Sequence, residues 1–333
     1  GQPVDPSAWD QDDPFTPVVK RAGFTGEGTP ISYEAFYADP QPDDRIYARA
    51  AADDKGPIIM FLAALDAMNR RNELPAYNVK VLLDGEEEKG SAGLKETLDA
   101  NAELYAADHI IIMDGPAHPS NRPTLTFGCR GIARATLTVY GPNKAQHSGH
   151  YGNYAPNPAM RLSQLLSSMK DEEGRVTIEG YYDGIEIDEM TQKILDAVPE
   201  NTSMINEQLG IAQADRVGKS YQESLQYPSL NVRGMSSAWV GDEVRTIVPE
   251  KAIAELDLRL VPESNGDRLL SLVIKHIVKQ GYVVLDRVPT EEERLKHPKI
   301  ATFTGAKSVN AFRTPLDSPS AKWLTKALNR NFP

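Results

Sequence analysis

The chain has 333 residues, with 36 Lys and Arg against 47 Asp and Glu, a formal net charge of −11. At roughly 150 residues per domain that length suits about two domains, and it can bury a core without covalent staples. The acidic balance disfavours a nucleic-acid backbone or an anionic membrane as partner. A lone cysteine, Cys129, excludes an internal disulfide framework and a Cys-rich metal site.

Residues 1–44 are rich in Pro, Asp and Gly, with Trp9 and Phe15 as anchors, and read as ordered loop. Pro57 then opens a helix with Ile58, Phe61, Leu62, Leu65 and Met68 at helical spacing. The longest apolar stretch, residues 58–65, is far too short to span a bilayer. Residues 77–83 read as a strand. Ser91 reads as the N-cap of a helix running to about Leu104, and residues 109–113 as a second strand. Strand, helix and strand in that order predict a parallel α/β unit.

The next region alternates differently. Residues 132–140 form a strand pattern, and residues 157–169 a helix carrying Met160, Leu162, Leu165, Leu166 and Met169 on one side. Residues 229–233 and 253–261 read as strands, residues 267–279 as a helix, and residues 282–285 as a strand. This β-α-β-β-α-β order is a ferredoxin-like split unit, interrupted by an insertion at about 171–228. The predicted fold class is therefore α/β: a parallel or mixed-sheet catalytic domain, residues 1–128 plus 305–333, with an inserted α+β ferredoxin-like lid at 129–304.

Three acidic sites punctuate the first domain. Asp53 precedes the helix that Pro57 opens, Glu86-Glu87-Glu88 follows the first strand, and Asp114 follows the second. Ligands bind beyond the carboxyl ends of strands in open parallel sheets. Carboxylates gathered there repel one another unless cations neutralise them. The pattern points to a divalent metal site built from oxygen ligands.

The local residues carry a resemblance. Tyr47-Ala48-Arg49-Ala50-Ala51-Ala52-Asp53-Asp54-Lys55-Gly56-Pro57 resembles the metal-bridging motif of the carnosinase-like dinuclear zinc metallopeptidases, relatives of glutamate carboxypeptidase, aminoacylase and succinyl-diaminopimelate desuccinylase. Asp84-Gly85-Glu86-Glu87-Glu88-Lys89-Gly90-Ser91 is similar to the family's paired-glutamate motif, and Gln146-His147-Ser148-Gly149 to its lid motif. Tyr227-Pro228-Ser229-Leu230-Asn231-Val232, Thr246-Ile247-Val248-Pro249 and Leu258-Arg259-Leu260-Val261-Pro262 match the rest of the lid, and Trp9 with Asp13-Pro14-Phe15 the stretch before the bridging motif. The dipeptidase branch fits best.

The resemblance implies a metallo-dipeptidase acting on short peptides with a free carboxylate, with two divalent metal ions, Zn2+ or Mn2+. It implies Asp53 as bridging ligand, Glu88 and Asp114 as further ligands, and Glu87 as general base. It also implies a cis peptide after Asp53, a homodimer through the lid, and His147 as an oxyanion donor from the partner subunit. Arg259 is the expected grip on the substrate carboxylate, with Thr246 nearby and Asn231 as a weaker contact. The family takes two more ligands from histidines, one in a His-x-Asp motif just before the residues matching Gly1-Gln2-Pro3, the other well beyond Pro333. His109, His118, His150, His276 and His297 fit neither motif. The expectation is a piece of a longer enzyme that binds metal weakly or at fewer than two sites. An export signal would precede Gly1, so the compartment stays open. Two alternatives stay open as well: an N-acyl amino-acid deacylase of the same family, and a catalytically dead dimeric binding protein.

Overall fold

The computed structural model describes residues 4–22, 28–115, 118 and 122–332. Residues 1–3 and 333, which border the expected histidine motifs, lie outside the described residues. The chain divides into two units, Gly1–Thr124 with Arg330–Pro333 and Leu125–Asn329. No helix among the described residues is long and apolar enough to cross a membrane.

The first unit begins with more regular structure than the expected loop. A three-stranded antiparallel sheet has β1 (Val18–Arg21) between β2 (Thr29–Ile31) and β3 (Arg45–Tyr47). Helix α1 (Tyr33–Ala38) is capped by Ser32, whose hydroxyl accepts from the Ala35 amide at 3.2 Å. The Arg21 guanidinium donates to the buried Asp44 carboxylate at 3.3 Å and ties β1 to the turn before β3. These links are side-chain specific, which a Pro- and Gly-rich composition conceals.

Helix α2 (Gly56–Arg70) starts where Pro57 predicts, yet it buries none of its residues. The helix expected from Ser91 is broken at Asn101 into α3 (Leu94–Ala100) and α4 (Ala102–Tyr105). Ser91 is not its cap: it adopts φ +52°, and its hydroxyl donates to Asp84 instead. Residues 77–83 and 109–113, predicted as strands, form no regular element and have no ladder partner among the described residues. A strand exists only when a second edge accepts its backbone bonds, and here the apolar side chains stay outside: Ile110 is 82% exposed and Leu83 69%.

The second unit is built on a five-stranded sheet. Its elements run β4 (Gly128–Cys129), β5 (Gly131–Tyr140), β6 (Gln146–His147), α5 (Ser148–Tyr151) and α6 (Pro158–Ser167). The insertion adds α7 (Glu189–Ala197), α8 (Thr202–Leu209) and α9 (Tyr221–Ser224). Then come β7 (Ser229–Ser236), β8 (Ile247–Val248), β9 (Lys251–Leu260), α10 (Gly266–Lys279), β10 (Val283–Leu285), α11 (Glu291–Lys296), β11 (Ile300–Val309), β12 (Phe312–Arg313) and α12 (Pro319–Asn331). The sheet order is β10-β11-β5-β9-β7.

β5 and β9 pair antiparallel over ten residues each, from Gly131↔Leu260 to Tyr140↔Lys251. Their alternation places Ala133, Ala135, Leu137 and Val139 beside Ala254, Leu256, Leu258 and Leu260 on one buried face. Helices α6 and α10 close that face with Leu162, Leu165, Leu269, Val273 and Ile277. Burying each such side chain contributes about 2 kcal/mol. Asn157 and Asn265 cap the two helices through their side-chain oxygens. The β-α-β-β-α-β order is present, with one addition: β11 sits between β10 and β5, parallel to the first and antiparallel to the second. Residues 305–309 continue β11, so residues 305–329, which the sequence reading places with the catalytic domain, cluster here with the second unit.

Candidate metal centre and lid

In the first unit, the chain enters α2 through one wide turn, Ala51–Lys55, in which the Asp53–Asp54 peptide is cis. Gly56 follows because a Cβ there would lie 2.8 Å from the Ala51 carbonyl oxygen. Asp53 is exposed, Asp54 half-buried. The Asp54 Oδ1 atom is withdrawn from solvent without a hydrogen-bond partner.

The paired-glutamate loop is organised by Asp84. Its Oδ1 accepts from the Glu86 amide at 2.9 Å and its Oδ2 from the Ser91 hydroxyl. Those bonds hold the Asp84 carboxyl below its ordinary value, the Ser91 hydroxyl contributing most. The loop then makes one tight turn, Glu87–Lys89, ended by Gly90 at φ +89°. The sequence reading quoted Asp84 without giving it a role; the signal was an Asp two residues before one backbone donor and seven before a hydroxyl.

Electrostatics brings the acidic sites together. The Asp53 carboxyl is pushed up chiefly by the charge of Glu88, then by desolvation, by a shared hydrogen bond with Glu88 and by Asp114; Arg49 pulls the other way. Glu87 is pushed up by desolvation first, then by Asp114, Glu88, Asp53 and Asp84. Asp53, Glu87, Glu88 and Asp114 therefore share one neighbourhood of like charge. No three His, Cys, Asp or Glu among the described residues are already spaced as a ligand set. The chemistry nonetheless fits a hard divalent cation: oxygen donors, mutual repulsion and a buried carboxylate oxygen without a donor.

The lid residues fall into two groups. β6 pairs with β8 through His147↔Ile247, and the Ser148 amide donates to the Thr246 carbonyl at 2.9 Å, so His147 and Thr246 are neighbours. The His147 Nδ1 atom accepts from the Gly149 amide at 3.0 Å, which assigns the ring proton of the neutral imidazole to Nε2. A Cβ at Gly149 would sit 3.0 Å from the ring, so any larger residue there would press on His147. Arg259 and Asn231 form the other group. Ser229↔Arg259 and Asn231↔Asp257 put both on the same sheet face, and the Asn231 amide donates to Asp257 Oδ2 at 3.3 Å. Arg259 is exposed and makes no hydrogen bond or ion pair with the described residues.

The register groups Thr246 with His147 and not with Arg259. The hairpin of β6 and β8 hangs from the Tyr140↔Lys251 end of the ladder, whereas Arg259 pairs with Ile132 near the other end. Arg259 lies eight residue steps along β9 from Lys251, about 26 Å at ~3.3 Å per residue.

Residues 127–283 match the peptidase dimerisation domain designated M20_dimer. The Cys-Gly metallodipeptidase dug1 of Schizosaccharomyces pombe is 30% identical over 240 residues, covering 71% of this chain and 50% of that protein. The human Beta-Ala-His dipeptidase is 26% identical over 248 residues, covering 72% and 48%. The M20 family metallo-carboxypeptidase Sso-CP2 from Sulfolobus solfataricus superposes with a TM-score of 0.67 at 29% identity, covering 89% of this chain and 64% of that one. The chain spans about half the length of the curated relatives it matches. Dimerisation domain, relatives and fold agree: residues 127–283 carry an M20 peptidase dimerisation domain, and the chain is similar to M20 metallopeptidases.

Proposed function

We propose that the protein to which this chain belongs is a dimeric metallo-dipeptidase, and that Asp53, Glu88 and Asp114 hold its divalent cations, two in number and zinc or manganese in kind. The relatives named as metallodipeptidases support the reaction class. The observation that carries the site is the convergence of carboxylates on Asp53 and Glu87.

Bound divalent cations supply an electrophile for the scissile carbonyl and acidify the attacking water. Glu87 takes one proton from that water as the carbon–oxygen bond forms, and delivers it to the departing amine nitrogen as the carbon–nitrogen bond breaks. Its raised carboxyl value suits both halves of that transfer. The Nε2–H of His147 donates to the oxygen that becomes negative in the tetrahedral state. Arg259 offers a fork to the substrate carboxylate, with Asn231 beside it on the same face.

The ladder argues for two subunits at each site. An extended dipeptide spans about 7 Å, far less than the separation of the two lid groups along β9. One subunit therefore cannot offer its own His147 and its own Arg259 to the same peptide. A partner's lid hairpin can, and a dimerisation domain supplies the partner. Thr246 then travels with His147.

The test uses the full-length protein. Glu87→Gln should abolish dipeptide turnover and keep its metal content, whereas Glu88→Ala should lose both. Equal metal loss in the two variants overturns the assignment of base and ligand. Product analysis on a dipeptide panel and an N-acetyl amino-acid panel separates dipeptidase from deacylase.

A further inference from the structure

The second unit holds a cavity of about 520 Å³ that the reaction above does not use. It lies where the insertion meets the sheet, and its wall includes the first residues of β7. That volume suits a small organic ligand rather than single trapped waters.

The cavity is built rather than incidental. The Arg216 amide donates to the Glu173 carbonyl at 2.8 Å, and Arg175 donates to the Val217 carbonyl at 3.3 Å, so the two loops on its rim are tied together. Gly174 sits on that rim at φ +82°, where a Cβ would collide with Asp215. The Tyr181 hydroxyl donates to the Ser229 carbonyl at 3.0 Å and pins the insertion to β7.

Its charge is opposite to that of the chain. Arg130, Lys170, Arg216 and Lys219 line it against a single lining carboxylate, Asp215. Asp215 faces Lys170 at 3.8 Å, and Arg216 is engaged by Glu173 at 3.5 Å. Lys219 has no ion pair among the described residues. Arg130 donates one terminal nitrogen to the Tyr227 carbonyl at 2.7 Å, but its Nε atom, shielded from solvent, has no acceptor. Arg130 is half-buried, and a partly desolvated guanidinium with an unpaired Nε favours an anion beside it; Asp257 is the nearby carboxylate that adds to its charge balance. Arg259, another cation, is close enough to add repulsion. The buried carboxylate of Glu223 lies on neighbouring α9 but does not line the cavity. Leu209, Ile205 and the rings of Tyr182 and Tyr227 complete the wall with apolar surface.

We propose that this cavity is a binding site for a small organic carboxylate with an apolar body, its charge held by Arg130 and Lys219 and its body by the tyrosine-lined wall. Neither the proposed metal ligands nor Arg259 line it.

Calorimetric titration of the full chain in excess EDTA with phenylbutyrate, and with the neutral phenylbutyramide, tests this without reading catalysis. The acid should bind at one site per chain, and the amide about tenfold more weakly or worse. Arg130→Gln and Lys219→Met should each weaken the acid about tenfold, while Lys279→Ala, on exposed α10 surface away from the cavity wall, leaves it unchanged. Lys219 is exposed, so Lys219→Met keeps the test alive if Arg130→Gln fails to fold. Equal affinity for acid and amide, no heat up to about 10 mM, or loss in Lys279→Ala with Lys219→Met unaffected overturns the proposal.

Discussion

A carboxyl group among other carboxylates holds its proton longer than one in water, and Asp53 and Glu87 are in that position. For each, the folded value lies above the unfolded one, so ionisation opposes the metal-free folded state. The penalty is absent when both forms are protonated, grows as pH rises from the ordinary carboxylate range, about 4, to the raised folded value, and is constant above it. A divalent cation removes it by taking the proton's place. Metal binding should therefore release protons in weakly acid solution, with affinity falling as pH drops through the raised values. Titration in buffers of different ionisation enthalpy measures the release, and Asp53→Asn should diminish it. An unchanged proton count in that variant would remove Asp53 from the centre. The neighbourhood of the acidic runs was legible in the sequence because each run sits beside a turn or helix start. The hold of Asp84 on Ser91 was not, since Ser91 reads equally as a helix cap.

Elements differ sharply in how much they bury. Leu137 of β5 is fully buried between α6 and α10, whereas Leu62 of α2 is 53% exposed. Leu137→Ala should cost about 2–5 kcal/mol by chemical denaturation, and Leu62→Ala no more than about 0.5. Comparable losses at the two positions would mean that α2 packs more deeply than the structure has it. This contrast marks where sequence periodicity succeeded. β5, β9, α6 and α10 carry their own alternation, and their partners lie within the same unit, so local pattern and final packing agree. Residues 77–83 and 109–113 carry the same apolar signal, but a strand is completed by a distant edge that composition cannot name. The cavity was invisible for a similar reason: its wall draws on residues from Arg130 to Leu230, brought together by the insertion's loops.

At the scale of the molecule, the β5–β9 ladder fixes a distance that side-chain motion cannot close. With His147 near one end and Arg259 near the other, the proposed reaction on a dipeptide draws on both subunits of a dimer. Mixing inactive Glu87→Ala and inactive His147→Ala forms of the full-length protein under subunit exchange should restore part of the activity, because one hybrid site keeps both groups. Activity that stays at the background of either variant would place both groups in one subunit and overturn the dimeric reading.

The exposure of the apolar side chains in residues 77–83 and 109–113 has a practical corollary. Exposed runs of Val, Leu and Ile are templates for intermolecular zipping. A chain that bares them in concentrated solution invites fibrous or amorphous self-association, and dilute handling or a charged residue between Ile110 and Ile112 is the natural remedy.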